Sequence, residues 1–383
     1  MNIKFKENKP FFEGVCIEDI TRSCSTPFYL YSQKIIKETY NNLRSALSSE
    51  IFFAVKANSN QAILRLIKNC GAGADVVSIG ELQRAIHAGF NPSKIIFEGV
   101  GKSKEDIKNA IQQNIRLINV ESINELNFIN DIGSKTNKII NIGVRLNPNV
   151  DANTLDKIST GKKTDKFGIS LDRLNEIITI AQSSNHINLI GLSCHIGSQI
   201  NNISIFEKVF KIMKETAQLA LSSGITLKHL DLGGGFAVNY EKDHNDFDIL
   251  SIGKLVNSVF KDVPYRLSFE PGRYLVAKAG VIITKILTSK ENGGINFLIT
   301  DAGMHTLLRP AMYGAIHRIE PLNNLNKKRL CYTIAGPICE SSDIISKDIL
   351  LPMQKEENYL AIHDAGAYGA VMASQYNSRE LPT

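Results

Sequence analysis

The feature that most constrains the fold is a regular alternation of short apolar runs and amphipathic segments between residues 51 and 272. Eight of the apolar runs have the length and composition of strands, at 51–58, 73–78, 94–100, 116–122, 141–147, 188–197, 228–235 and 265–272. Strands that alternate with helices pair in parallel, and eight such units close a barrel. The sequence therefore predicts an α/β fold built on a (β/α)8 TIM barrel.

Helices are predicted between the strands where apolar residues recur at three- and four-residue steps, at 60–70, 80–89, 103–114, 122–133, 170–182 and 203–224. Two of them have a serine followed three residues later by an acid, which is the spacing of a helix start: Ser103 with Asp106, and Ser122 with Glu125. An open doubly wound sheet is the alternative arrangement. We do not favour it, because the G-x-G-x-x-G turn that follows its first strand is missing here.

Size and charge exclude several classes of function. The chain has 383 residues, enough for two domains, and its 44 Lys and Arg against 38 Asp and Glu give a net charge of +6. The one basic block, NKKR at 326–329, favours neither a nucleic-acid partner nor a membrane. No apolar run approaches the roughly 18 residues of a membrane span, and the N-terminus lacks the apolar core of a signal peptide, so a cytoplasmic protein is predicted.

The six cysteines are scattered along the chain, at Cys16, Cys24, Cys70, Cys194, Cys331 and Cys339. They show no C-x-x-C spacing and no Cys/His cluster of the zinc type. The sequence therefore predicts reduced thiols and no metal site, and any cysteine with a special role must be identified by its neighbours.

Polar residues follow most of the predicted strands at or just past their C-terminal ends, namely Lys56, Asp75, Glu98, Glu121, Arg145, His195, Gly233, Gly234, Gly235, Glu270 and Arg273. Barrel enzymes place their chemistry at this end of the barrel. A single polar strand end is ordinary for a solvated loop. The combination of a lysine, a histidine, several carboxylates and arginines at one end predicts a catalytic site.

The glycines of HLDLGGGF at 229–236 let backbone N–H groups approach an anion without an intervening Cβ. EPGR, at 270–273, is a second glycine turn after the eighth strand, and strands seven and eight of a barrel commonly make a phosphate site. Pyridoxal phosphate requires such a site, a lysine amine for covalent attachment and a group that tunes its ring nitrogen. Lys56 and Glu270 supply the last two, and His195 is predicted to lie flat against the ring. Taken alone, the glycines are equally well explained by a tight turn, and His195 by a hydrogen bond to a neighbour.

These residues belong to a series of longer motifs, which are FFAVKAN, GADVVSIGEL, VESINEL, VRLNPNVDANTLDKISTGKKTDKFGIS, GLSCHIGSQ, LDLGGGF, EPGRYLVAKAG, TDAGMHTLLRPAMYGAIH, AGPICESSDII and DAGAYGAVMASQYNSR. In these motifs and in their order the chain resembles the fold type III (alanine-racemase-like) pyridoxal-phosphate decarboxylases, most closely the diaminopimelate decarboxylase family. The resemblance extends from residue 50 to residue 379 and so covers most of the chain.

The resemblance implies decarboxylation of meso-2,6-diaminopimelate to L-lysine and CO2, the last step of lysine biosynthesis, with pyridoxal 5'-phosphate as cofactor. Lys56 would carry the cofactor, His195 would stack on its ring and Glu270 would contact the ring nitrogen. The other implied cofactor contacts are Asp75, Ser198, Gly233, Gly234, Gly235, Pro271, Gly272, Arg273 and Tyr368.

For the substrate, the resemblance implies contacts from Arg273, Arg309, Tyr313, Glu340 and Tyr368. In CESSD, Cys339 matches the proton donor and Glu340 the residue that binds the distal amino-acid end. A substrate with two carboxylates and a distal ammonium needs both signs of charge, which arginines and a glutamate supply. In this family the cysteine and the glutamate are contributed to the facing subunit's site, so a homodimer is implied.

A β-rich second domain would follow the barrel, with the barrel at 35–275 and the second domain at 1–34 and 276–383. Strand-like segments at 279–291, 295–303 and 329–338 support this independently. The chain departs from the family in two places. Ile79 of SIGEL stands where relatives have glycine. The chain also ends at SRELPT where relatives continue with further β structure, which predicts a second domain that ends early.

Four other functions are weighed against this one. Ornithine-type decarboxylases are the nearest, but CES, HIGSQ and Arg309 favour a substrate with a distal amino acid. A racemase needs two opposed bases, and no suitable tyrosine motif is evident. A non-catalytic pyridoxal-phosphate carrier would have no use for CESSD and DAGAY. A sugar- or phosphate-binding barrel would leave Lys56 unexplained.

Overall fold

The computed structural model describes residues 3–152, 154, 156–158, 160–240 and 247–383. These residues form two compact units. The barrel unit contains the described residues within Lys37–Ala237 and Phe247–Tyr274, and the sheet unit contains those within Met1–Ile36, Val238–Asp246 and Leu275–Thr383. None of the described helices combines the length and the apolar character that crossing a membrane requires.

Four short strands and a helix lie within the first 31 residues, at β1 (Lys4–Lys6), β2 (Lys9–Phe12), β3 (Val15–Cys16), α1 (Ile17–Ser23) and β4 (Phe28–Tyr31). Strands β1, β2 and β3 form a small antiparallel sheet. Strand β4 instead joins the large sheet of the same unit.

The strands of the barrel unit are β5 (Glu50–Ala54), β6 (Gly73–Val76), β7 (Ile95–Phe97), β8 (Leu117–Val120), β9 (Ile140–Asn147), β10 (Ile169–Ser170), β11 (Ile187–Ser193), β12 (His229–Asp231) and β13 (Arg266–Phe269). Eight of them pair in parallel in the order β5-β6-β7-β8-β9-β11-β12-β13, and β13 pairs with β5 to close the barrel. Strand β10 adds a short parallel pairing to β9. The predicted (β/α)8 barrel is therefore confirmed, with each predicted strand in its place.

The next nine helices are α2 (Gln33–Leu47), α3 (Gln61–Asn69), α4 (Ile79–His87), α5 (Lys104–Gln112), α6 (Ile123–Thr136), α7 (Leu174–Ser183), α8 (Ile203–Ser222), α9 (Ile249–Val259) and α10 (Arg273–Val276). Helices α3 to α8 match the six predicted ones, whereas α2 and α9 were not predicted. The two predicted helix starts are confirmed, because Ser103 accepts the N–H of Asp106 and Ser122 accepts that of Glu125. Ile79 is the first residue of α4, a position that any side chain can occupy.

The sheet unit continues with β14 (Gly280–Asn292), β15 (Ile295–Thr300), α11 (Arg309–Tyr313), β16 (Ile319–Pro321), β17 (Arg329–Ala335), β18 (Ile344–Pro352) and β19 (Tyr359–Ile362). The sheet order is β16-β19-β14-β15-β17-β18, with β4 also paired to β14. Only β15 and β17 pair in parallel. Its core contains buried residues such as Ile282, Leu298, Ile334 and Leu360. The three strand-like segments and a β-rich part after the barrel are thus confirmed.

Apolar side chains fill part of the barrel interior. Phe52, Ile96, Leu117 and Ile190 pack together from four different strands and are 6% exposed or less, as expected for the layered core of such a barrel. Strand β5 ends at Ala54, earlier than the predicted residue 58. Lys56 therefore lies just past the strand, where a polar side chain need not enter the apolar layer.

Candidate active site

Lys56 stands at the C-terminal end of the barrel, in a single 3₁₀ turn (Val55–Ala57) that follows β5. Its Nζ lies 3.1 Å from Oδ2 of Asp75, the third residue of β6. The Asp75 side chain is fully buried, whereas 36% of the Lys56 side chain is exposed. The other carboxylate oxygen of Asp75 has no hydrogen-bond partner among the described residues. A buried carboxylate thus holds a partly exposed amine at this end of the barrel.

The glycine loop, Gly233 to Gly235, follows β12 and cannot hold larger residues. At Gly233, φ is +69°, and a Cβ would lie 2.4 Å from the carbonyl oxygen of Cys194. At Gly234 a Cβ would lie 2.5 Å from the carbonyl oxygen of Glu270. Both contacts are with backbone, which cannot swing away as a side chain can. The three glycines therefore allow the loop to lie directly against neighbouring backbone at the ends of β11 and β13.

His195 follows β11 and has a defined proton position. Its Nδ1 accepts the N–H of Gly234 at 3.2 Å, so the proton of the neutral ring is on Nε2. Burial, together with the positive charges of Lys56 and Arg145, holds the pKa of His195 well below its usual range. The ring is consequently neutral at physiological pH, with its orientation fixed by the glycine loop.

Glu270 follows β13 and is almost completely buried. Its N–H donates to the carbonyl oxygen of Gly233 at 2.8 Å, while its side-chain Oε1 has no hydrogen-bond partner among the described residues. Burial raises the pKa of Glu270 well above its ordinary value, and the nearby carboxylates of Asp231, Asp75 and Glu98 raise it further. A buried carboxylate oxygen without a hydrogen-bond partner costs free energy, and Oε1 is therefore available to accept a hydrogen bond from a group bound at this end of the barrel.

The segment after Glu270 brings further polar groups to the same end of the barrel. The carbonyl oxygen of Pro271 accepts the N–H of Ala54 at 3.3 Å, and a Cβ at Gly272 would lie 2.9 Å from Cβ of Ala57. Arg273 donates from Nε to Ser198 Oγ at 3.1 Å. The backbone N–H groups of Gly235 and Gly272 have no acceptor among the residues that the structure describes. Free N–H groups beside an arginine and a hydroxyl form a suitable site for an anion.

Arg309, the first residue of α11 in the sheet unit, is only 5% exposed. His317 Nδ1 donates to the carbonyl oxygen of His363 at 2.8 Å, so His317 Nε2 accepts from Arg309 Nη1 at 2.9 Å. The guanidinium carbon also lies 4.5 Å from the ring centre of Tyr240. These contacts fix the plane of the guanidinium, which is what two-point binding of a carboxylate requires.

Cys339 and Glu340 are adjacent and exposed in the loop after β17. The N–H of Cys339 donates to Asn377 Oδ1 at 3.0 Å, and the hydroxyl of Tyr376 donates to Glu340 Oε1. The cysteine and the glutamate are therefore both anchored to the same short segment near the C-terminus of the sheet unit.

The same loop is organised by Asp343, which was not singled out from the sequence. Its buried carboxylate accepts the N–H groups of Met304 at 2.6 Å and Ile338 at 2.7 Å. The remaining predicted site residues of the sheet unit are Tyr313, the last residue of α11, and Tyr368, which has φ +54°. Both are half-buried.

Comparison with known proteins identifies the family of the chain. Residues 33–277 match the family model for the pyridoxal binding domain of pyridoxal-dependent decarboxylases. Diaminopimelate decarboxylase from Aquifex aeolicus is 35% identical over 98% of this chain and 90% of its own length, and that from Bacteroides thetaiotaomicron is 38% identical over 97% of both. The crystal structure of diaminopimelate decarboxylase from Helicobacter pylori complexed with L-lysine superposes with a TM-score of 0.91 at 38% identity, over 95% of this chain and 92% of that one.

The chain belongs to the diaminopimelate decarboxylase family. Pyridoxal phosphate is the cofactor of diaminopimelate decarboxylases, and the barrel unit fits it on three observations. Lys56 offers an amine, the unpartnered Oε1 of Glu270 can accept a hydrogen bond from a protonated ring nitrogen, and the free N–H groups of Gly235 and Gly272 beside Arg273 can bind a phosphate.

A buried chain of hydrogen bonds under the glycine loop was missed from the sequence. Arg116 donates to His229 Nδ1 at 3.3 Å, and His229 Nε2 lies 3.1 Å from Ser268 Oγ, which donates to Asp231. The other oxygen of Asp231 accepts the N–H of Gly233 at 2.7 Å. Burial raises the pKa of Asp231 to about 6 and lowers that of His229 to about 3. An aspartate two residues before a glycine turn is a sequence signal for this arrangement.

A second buried group joins strand ends that were recognised as polar. Arg145 Nη1 lies 3.1 Å from Glu121 Oε1 and 3.9 Å from Glu98 Oε2. Glu98 Oε1 accepts hydrogen bonds from Asn119 and Ser193. Burial raises the pKa of Glu98 to about 7, while the neighbouring guanidinium opposes that shift. Arg145 therefore interacts with two buried carboxylates, those of Glu98 and Glu121, beneath the candidate active site.

Proposed function

We propose that this chain decarboxylates meso-2,6-diaminopimelate to L-lysine and CO2, the last step of lysine biosynthesis, with pyridoxal phosphate as cofactor. The observation that carries the proposal is the buried, unpartnered Oε1 of Glu270 at the same end of the barrel as the Lys56 amine. The Helicobacter pylori relative was crystallised with L-lysine, and L-lysine is the amine that remains when meso-diaminopimelate loses one carboxylate.

We propose that Lys56 holds the cofactor covalently and that Asp75 keeps its amine in place, as the 3.1 Å ion pair supports. When bound, pyridoxal phosphate supplies a sink for the electron pair that the departing CO2 leaves on the α-carbon. The phosphate would lie among Ser198, Gly233, Gly234, Gly235, Gly272 and Arg273, and Pro271 would be a further contact of the cofactor.

Two side chains would tune the ring. Glu270 would keep a proton on the ring nitrogen, which makes the ring a better electron acceptor. The raised pKa of Glu270 supports this role, because it shows that the buried carboxylate lacks sufficient positive charge around it. A protonated ring nitrogen would supply that charge and stabilise the ionised form of Glu270. His195 would lie against the ring, and its neutral state avoids placing a second positive charge beside a protonated nitrogen.

The substrate carries two carboxylates and a distal ammonium, so its binding residues need both signs of charge. We propose that Arg273, Arg309 and Tyr313 bind carboxylates, that Glu340 binds the distal amino-acid end and that Tyr368 touches both substrate and cofactor. Arg309 is suited to this because His317 and Tyr240 already hold its guanidinium. Little side-chain entropy is then lost when a carboxylate binds.

Cys339 is the proposed proton donor to the α-carbon after CO2 has left. Its thiol proton would move to that carbon, and the thiolate would regain a proton from solvent, which its exposure permits. We propose further that the chain forms a homodimer in which Cys339 and Glu340 act in the facing subunit's site. The cytoplasmic location, the absence of a nucleic-acid, membrane or metal partner and the domain bounds 35–275, 1–34 and 276–383 stay predictions.

The activity is tested with a panel of amino acids. The purified protein, loaded with pyridoxal phosphate, is offered meso-diaminopimelate, ornithine and arginine, and CO2 release is followed for each. We expect release from meso-diaminopimelate with L-lysine as product. Release from ornithine alone would refute the substrate assignment. Borohydride reduction followed by digestion should leave the cofactor on the peptide that contains Lys56, and a cofactor on any other lysine would refute the proposed attachment.

The shared site is tested by mixing two inactive variants. Lys56→Ala removes the cofactor attachment and Cys339→Ala removes the proton donor. If each site uses Cys339 from the other subunit, a mixed dimer has one intact site and one site with both changes. Equal co-expression should then recover about a quarter of wild-type activity, because half of the dimers are mixed and half of their sites are intact. No recovery would place Cys339 in the site of its own subunit and refute the shared site.

A further inference from the structure

A cavity lies at the opposite end of the barrel from Lys56. Its volume is about 1000 Å3, which is at the upper end of the range for small-molecule sites. The lining includes the first residues of β5, β6 and β13, which are Glu50, Gly73 and Arg266, together with Lys94 immediately before β7. Since the strands are parallel, these residues mark the N-terminal end of the barrel, and none of them is a proposed catalytic or cofactor residue.

The charge of this cavity is positive. Its lining contains Arg44, Lys94 and Arg266 against one carboxylate, Glu50. That carboxylate is already satisfied, because Arg116 donates to its two oxygens at 3.1 and 2.7 Å and Arg266 lies 3.6 Å away. Arg44 and Lys94 have no carboxylate partner among the described residues. Two cationic groups in one cavity without an anion favour a ligand that carries negative charge.

The donors of the cavity converge on one turn of the chain. That turn is at Gly71. A Cβ placed on Gly71 would lie 3.6 Å from Tyr40 Oη and 3.7 Å from Arg44 Nη1. The Nζ of Lys94 lies 3.4 Å from the carbonyl oxygen of Gly71. Tyr265, which also lines the cavity and is 7% exposed, ends in a hydroxyl group without a hydrogen-bond partner among the described residues. Hydroxyl, guanidinium and ammonium groups that meet at one point can together bind the oxygens of one anion.

We propose that this cavity is a binding site for a small molecule that carries an oxyanion group, a phosphate or a carboxylate, held by Arg44 and Lys94. The glycine at position 71, with φ +104°, keeps the turn free of a side chain. The serine hydroxyls of the lining, at Ser45 and Ser48, add further donors to the same cavity. The site is separate from the proposed phosphate site of the cofactor, which lies at the other end of the parallel strands.

The test measures anion binding to the protein already loaded with pyridoxal phosphate, so that the cofactor's own phosphate site is filled. Inorganic phosphate and glutarate are titrated separately by calorimetry, which distinguishes a phosphate ligand from a carboxylate ligand. The test variant is Arg44→Gln with Lys94→Gln, and the matched control is Arg65→Gln with Lys108→Gln. The control removes the same two charges from exposed positions outside the cavity.

We expect at least one of the two anions to bind the wild-type protein and the control with equal affinity. The test variant should bind it at least about tenfold more weakly, since two charge-assisted contacts are lost. Binding should also weaken as salt is added, because both cations are exposed. No binding of either anion, or equal binding by the test variant, overturns the proposal. If the double variant does not fold, the single Arg44→Gln variant is measured with the same criteria.

Discussion

Gly234→Ala is the substitution for which the structure gives the clearest consequence. The new Cβ would lie 2.5 Å from the carbonyl oxygen of Glu270 and 3.0 Å from its carbonyl carbon. Both atoms belong to backbone at the end of β13, which is held in the barrel by parallel pairing with β12 and β5. The glycine loop must therefore move, rather than the strand.

The size of the movement follows from the contact. Real Cβ atoms do not approach closer than 3.0 Å, so the loop must shift by at least 3.0 − 2.5 = 0.5 Å. The N–H of Gly234 lies 3.2 Å from His195 Nδ1. A shift of about 0.5 Å away from Glu270 can lengthen this bond past the limit for hydrogen bonding. A misplacement of about 1 Å can cost about 100-fold in rate, so for a shift of about half that size we expect kcat/KM to fall by about 10-fold.

Two measurements separate a local effect from misfolding. Pyridoxal-phosphate binding, followed by its visible absorbance, should weaken, and CO2 release from meso-diaminopimelate should fall, while the circular dichroism spectrum stays that of the wild type. Gly101→Ala is the matched control, because a Cβ there meets no atom within 4 Å and its φ is not positive. Gly234→Ala protein with wild-type kcat/KM would refute the argument that the loop needs glycine at this position.

Two further predictions concern a substrate contact and a buried acid. Arg309→Lys loses the fixed guanidinium. We expect KM for meso-diaminopimelate to rise by about 10- to 100-fold, the value of one charge-assisted hydrogen bond, while the cofactor absorbance stays unchanged. A KM that is unaltered, like that of the exposed control Arg329→Lys, would contradict the proposed role. Glu98 is 3% exposed and its pKa is raised to about 7 from 4.5. Its favourable contribution to folding is present below about pH 4.5 and is lost as the pH rises through 7. The 7 − 4.5 = 2.5 unit shift corresponds to about 3 kcal/mol. Between pH 5 and pH 8 the wild-type protein should lose this contribution, whereas Glu98→Gln has no such group to titrate. The free energy of unfolding of the variant minus that of the wild type, measured by urea denaturation of the apo-protein, should therefore rise by up to about that amount. A difference that stays constant with pH, as expected for the exposed control Glu105→Gln, would contradict it.

The parts of the fold that could be predicted are those in which local pattern and tertiary environment agree. All eight barrel strands are short apolar runs, because a parallel sheet covered by helices is buried on both faces. Helices α3 to α8 have regular apolar spacing, and three of them, α4, α5 and α6, have serine caps that satisfy free N–H groups. Helix α9 was missed because ILSIGKLV, at 249–256, has few polar residues to mark a solvent face. Helix α2 does have an apolar face, at Ile36, Tyr40, Leu43 and Leu47, but it precedes the first predicted strand.

The positions of the candidate site residues could be predicted at the level of strand ends, and their contacts could not. Lys56 and Asp75 are 19 residues apart in the sequence, and their ion pair exists because β5 and β6 are neighbours in register. The parallel order makes such a meeting expected. The sequence does not indicate which oxygen of Asp75 is paired, nor that Glu270 Oε1 has no partner, because both depend on side-chain geometry.

Three buried charged residues lie within strands of the barrel. A charged residue is normally taken as the end of a strand, because burying an unpaired charge costs several kcal/mol. Here Asp75 and Arg145 lie inside β6 and β9, and Asp231 is the last residue of β12. Each is accommodated because a neighbouring strand or loop supplies an opposite charge or a donor, so the cost is offset across strands and not along the chain. These buried charged residues, which an apolar strand pattern does not call for, lie at the end of the barrel where function is proposed. This is expected if they are retained for binding and catalysis and not for stability.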